Sequence, residues 1–130
     1  MTFDPSIYQA RQYPTPPCWA LVADVYARER AQPVDIYKTV NASIRAIATA
    51  FRLQLHKGAH GFAQTDEPQD LCVVLLGRTL RLGPHHAGIY WQGSVLHALE
   101  AGVMFQDLAS VRDVYGLVEF WAQPAEEAAA

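Results

Sequence analysis

Apolar residues recur at helical spacing from Cys18 onward. Cys18, Leu21, Val22, Val25 and Tyr26 fall on one side, and Asp24, Arg28, Glu29 and Arg30 on the other. The pattern predicts an amphipathic helix from Cys18 to about Arg30, entered from Pro17, which suits a first helical turn, and closed by Gln32-Pro33. A second helical pattern, Ile36, Val40, Ile44, Ile47, Phe51 and Leu55, runs to His56-Lys57 ahead of a stop at Gly58, with Asn41 or Ser43 as points where it can divide. His60 to Gln69 mixes glycine, acidic residues and Pro68 and reads as a surface connection. Leu71 to Leu76 is a continuous apolar run between Asp70 and Gly77, short enough to be a central strand covered on both faces. After Arg78 to Pro84, the segment His85 to His97 reads as a hairpin. A short strand or turn around Gly102-Val103-Met104-Phe105, a helix near Asp107 to Tyr115 and a last strand Leu117 to Trp121 follow. Helices first and a largely antiparallel sheet afterwards make an α+β layout.

The hairpin carries a geometric consequence. If Gln92-Gly93 is a two-residue turn, facing residues have numbers that sum to 185, so Gly88 opposes His97 and His86 opposes Leu99. Opposed residues share a face of the sheet, which makes His86 and His97 diagonal neighbours, with Cα atoms roughly 7–8 Å apart and imidazoles within hydrogen-bonding reach. By the same alternation His85 points the other way. A three-residue loop or a bulge would move His97 to the wrong face.

Composition narrows the function classes. The chain has 130 residues, 51% of them hydrophobic and 11% aromatic, which suits one compact core. A net charge of −3, with no Lys/Arg cluster, gives no footprint for nucleic acid or for an anionic membrane. Residues 1–17 contain one arginine, no apolar run and the prolines Pro14, Pro16 and Pro17. They read as an arm, packed or frayed, and as neither a secretory signal nor a membrane anchor, so synthesis in the cytoplasm without a signal peptide is the expectation. The expected organisation is an arm over 1–17, a single domain over 18–123 and a frayed tail over 124–130.

Two cysteines, Cys18 and Cys72, are expected to be reduced, with Cys72 inside an apolar strand. Cys18 is different, because it stands in the first turn of a helix. Unsatisfied backbone N–H groups and the positive end of the helix dipole favour a thiolate there, which predicts a lowered pKa where a basic partner helps. Cys18, His86 and His97 together form a nucleophile, base and orienter set. No C-x-x-C or H-x₃-H spacing pre-forms a ligand pair, so neither metal nor cofactor is expected. Trp91 and Trp121 read as core or interface residues, and His56 and His60 as residues flanking a helix end.

Three segments in order, Cys18-Trp19-Ala20-Leu21-Val22, His86-Ala87-Gly88-Ile89-Tyr90 and Leu96-His97-Ala98, resemble the NlpC/P60 family of papain-like cysteine peptidases. With Val103, Leu108, Arg112 and Phe120-Trp121, they look most like its phage tail-tip branch. The resemblance spans about Tyr13 to Trp121. It implies a cysteine-bearing helix packed on a small antiparallel sheet, with Cys18 as nucleophile, His86 as general base and His97 as the residue that orients it. It also implies a tyrosine upstream of the cysteine that assists, for which Tyr13 and Tyr8 are both candidates, and the backbone N–H of Cys18 as an oxyanion donor. The implied substrate is the amide bond of a peptidoglycan stem peptide, commonly between D-glutamate and a diamino acid. Implied partners are phage tail proteins, and the implied location is a virion tail.

Three positions depart from the family pattern. Pro17 replaces the usual aspartate before the cysteine, Gln69-Asp70 replaces a glycine-aspartate, and the interval from His86 to His97 is slightly short. Two other readings use the same scaffold: a catalytically silent tail-assembly or binding module, and a secreted antibacterial amidase delivered without a signal peptide.

Overall fold

The computed structural model describes residues 3–14, 17–32, 48–49, 52 and 61–123. The elements are α1 (Pro5–Gln9), α2 (Pro17–Arg30), β1 (Ala63–Thr65), β2 (Val73–Gly77), β3 (His86–Trp91), β4 (Ser94–Leu99), β5 (Gly102–Asp107), α3 (Leu108–Val114) and β6 (Leu117–Ala122). All six strands form one antiparallel sheet in the order β1-β6-β2-β3-β4-β5, so the molecule is α+β. β2, the apolar run, lies between β6 and β3, and all of its residues are buried.

Strand alternation gives the sheet two faces, each with its own core. On one face Val73, Leu75, Ala87, Ile89, Leu96, Ala98 and Trp121 meet the apolar stripe of α2, from Cys18 and Trp19 to Tyr26. On the other, Cys72, Val74, Leu76, Val95 and Phe120 meet Val111 of α3. Cys18 and Cys72, both free thiols, therefore belong to different cores. The Tyr26 hydroxyl ties α2 to the sheet by donating to the carbonyl of Leu71.

Residues 3–14 do more than lead in. Asp4 caps α1 by accepting the Ser6 N–H at 3.0 Å, and the turn this creates sends Phe3 and Tyr8 into the α2-side core. Phe3 stacks on Tyr8 with centroids 5.5 Å apart and tilts against Trp91 at 5.0 Å. In packing terms these two residues belong to the domain, because burying aromatic area offsets the entropy of fixing the segment.

The expected surface connection contains β1, which pairs with β6 from Ala63↔Ala122 to Thr65↔Phe120. Ala-Gln-Thr has no apolar alternation, since an edge strand of three mostly exposed residues needs none. Most of the expected second helix lies outside the described residues, as do His56, His60 and the 124–130 tail. The described Ala48, Thr49 and Arg52 are helical. The Arg52 guanidinium pairs with the buried carboxylate of Glu119, which also accepts the Trp121 indole N–H at 3.1 Å.

Candidate active site

Gln92 and Gly93 both adopt positive φ, 46° and 88°, the signature of a two-residue mirror-image turn whose twist matches the strands it joins. The register runs from Trp91↔Ser94 to Gly88↔His97, as the sum of 185 requires. His86 and His97 are both buried, and His86 Nε2 lies 2.9 Å from His97 Nδ1 with the rings edge to face. Gly88 permits this approach, because a Cβ there would sit 2.7 Å from the Leu96 carbonyl oxygen and 3.0 Å from the His97 Cβ.

The chain of hydrogen bonds continues to a residue that the sequence did not reveal. His97 Nε2 lies 2.8 Å from Gln106 Oε1 on β5. An amide oxygen only accepts, so His97 carries its proton on Nε2, and its Nδ1 accepts from the Nε2–H of His86. His86 is left with an unprotonated Nδ1, the atom a general base needs. Gln106 lies two residues beyond Met104, the partner of His97, so finding it requires the β4–β5 register. The expectation of a short strand or turn around 102–105 stopped one residue short of it.

The thiol reaches this end of the sheet from the opposite face. The β3–β4 ladder ends at Gly88↔His97, and the backbone N–H of Ala87, next to His86, is directed at the Cys18 sulfur together with the N–H groups of Cys18 and Trp19. These three donors favour a thiolate, yet burial disfavours it more, and the Cys18 pKa lies above the ordinary thiol value. The expected low-pKa thiol is corrected on this point: at 8% exposure, desolvation outweighs the helix start. No cationic partner compensates, because burial, with the His97 and His85 charges adding to it, pushes His86 down to about 3. Burial also lowers His97, against a raising contribution from its bond to Gln106. The resting pair is thiol and neutral imidazole.

Tyr115, at the C-terminal cap of α3, is a second residue without a sequence signal. Its ring stacks on His86 with centroids 5.7 Å apart and an interplanar angle of 17°, and it meets His97 edge-on at 6.5 Å. His85 precedes β3, so strand alternation does not govern it. Instead of facing wholly away from His86, it tilts against the same Tyr115 ring at 6.1 Å, its Nε2 buried without a partner.

The two candidate tyrosines bond elsewhere. The Tyr8 hydroxyl donates to Glu29 at 2.6 Å and that of Tyr13 to Asp24 at 2.7 Å, and Asp24 also pairs with Arg11 and Arg28. Burial first, and these carboxylates next, raise both phenol pKa values. A cavity of about 220 Å³ lies between this segment and the β4–β5 turn, lined by Arg11, Tyr13, Pro17, Ala98, Glu100 and Val103 among others. Pro17 and Ala98 in its lining are the chain neighbours of Cys18 and His97.

Among the described residues no group of three or more His, Cys, Asp or Glu is placed to hold a metal ion, and no helix is long and apolar enough to cross a membrane. No protein-family model, curated protein or solved structure matches this chain.

Proposed function

We propose that the protein is a cysteine peptidase or amidase of the NlpC/P60 type that cleaves amide bonds of peptidoglycan stem peptides. The observation that carries this reading is the His86–His97–Gln106 relay, whose hydrogen-bond order leaves Nδ1 of His86 unprotonated, as a general base requires. In the reaction, His86 Nδ1 takes the Cys18 S–H proton and the thiolate attacks the scissile carbonyl. The N–H of Cys18 donates to the oxyanion, and His86 returns the proton to the leaving amine. Water, activated by the same Nδ1, then hydrolyses the thioester. The resemblance to the tail-tip branch supports a phage or prophage tail as the setting of such an enzyme.

One observation favours a second reading, a catalytically silent binding module: Cys18 is buried and its thiol form is favoured. Incubation of purified sacculi with the wild-type protein and with Cys18→Ala, followed by mass spectrometry of the released fragments, separates the two. Peptidase action releases fragments with new amine and carboxyl ends in the wild type alone. Equal sedimentation of both proteins with sacculi, and no fragments from either, contradicts it and supports the module.

A further inference from the structure

Tyr115 has no assigned role, yet its ring has three histidine neighbours. It lies parallel to His86 at 5.7 Å and 17°, edge-on to His97 at 6.5 Å and 82°, and tilted to His85 at 6.1 Å. It is half-buried at the cap of α3, where its backbone N–H donates to the Val111 carbonyl at 2.9 Å, so the helix end fixes the point from which the ring projects. Cys18 is within electrostatic reach of the phenol. A neutral imidazole gains modest stacking from such a neighbour. An imidazolium gains more, because the negative face of an aromatic ring attracts a cation within about 6 Å of its centroid, and more strongly where water is excluded.

The geometry points to Tyr115 as a positioning residue for His86: its ring holds the imidazole in the orientation that bonds to His97 and preferentially stabilises the imidazolium formed when Nδ1 takes the Cys18 proton. This rests on the reading of Cys18 and His86 as nucleophile and base. In the step the S–H bond breaks and the Nδ1–H bond forms. Positive charge appears on His86 and negative charge on sulfur, and the ring face meets the positive one. Among the described residues, the groups that bond to, stack on or carry charge toward His86 are His97, His85 and Tyr115, and none is a carboxylate. The π face is then the group at hand that favours the charged form, and contacts made only in that form accelerate the step.

The experiment measures the iodoacetamide alkylation rate of Cys18 at pH 7 in the full chain, with Cys72→Ser in the background. It compares Tyr115→Phe, the same Phe carrying five ring fluorines, and His86→Gln. Phe keeps the ring face, whereas the fluorinated ring keeps the shape and reverses the quadrupole, a change that a purely structural contact does not register. The expected rates are within about twofold of the parent for Tyr115→Phe and about tenfold slower for the fluorinated ring, the rate equivalent of a desolvated cation–π contact. Equal rates for the two rings, with His86→Gln slow, overturn the role of Tyr115 alone. A His86→Gln rate equal to the parent overturns the thiol–imidazole pairing beneath it.

Discussion

At the scale of single residues, the Cys18 sulfur is pulled two ways: three N–H groups favour the thiolate, and burial favours the thiol and wins. An isolated thiolate–imidazolium pair would alkylate at a constant rate from about pH 6. Here the Cys18 rate is expected to climb with pH beyond that of a free thiol, with no low-pH plateau, as a pH–rate profile with iodoacetamide reports. Gln106 sets the direction of the proton relay, so Gln106→Leu is expected to slow that reaction by about tenfold, the worth of one well-placed hydrogen bond to a developing charge. The sequence named Cys18, His86 and His97 because residue type and turn chemistry are local. It missed Gln106 and Tyr115 because their roles depend on a strand register and on the reach of a helix cap, which no short window contains.

At the scale of elements, the turn and the glycine opposite His97 carry the site. The hairpin was legible because two adjacent residues took left-handed backbone, and β2 because an apolar run of that length has few other solutions. β1 was not legible, since its pairing is set by β6 rather than by its own three residues. Gly93→Ala places a side chain at φ 88° and is expected to cost about 1 kcal/mol in a denaturant titration, without changing the relay. Gly88→Ala is different in kind. Its Cβ would press on the Leu96 carbonyl oxygen and the His97 Cβ, so a loss of about 1–3 kcal/mol should accompany a slower Cys18 alkylation.

For the whole molecule, one sheet separates two cores, and the candidate catalytic set lies where the β3–β4 ladder ends. The N-terminal segment, which the sequence suggested only as an arm packed or frayed, belongs to that architecture through Phe3, Tyr8, the Arg11–Asp24 ion pair and the Tyr13–Asp24 hydrogen bond. The buried histidines also give the fold an acid liability. His86 titrates near 3 when folded and near the ordinary value of about 6.5 when unfolded, so across that window the unfolded chain holds the extra proton. Stability is full above pH 6.5 and falls as pH falls. His97 and His85 are lowered in the same direction. Thermal melts should therefore show a loss of about 2 kcal/mol from His86 alone between pH 7 and pH 5, and His86→Gln should flatten that slope.

In the proposed mechanism everything turns on His86, ordered by His97 and Gln106, acting as the base for Cys18. The most direct test compares the Cys18 alkylation rate at pH 7 in Cys72→Ser protein with and without His86→Gln. The expected rate is at least about tenfold lower once the imidazole is gone, in a protein that still melts cooperatively. Equal rates with and without His86 would contradict it.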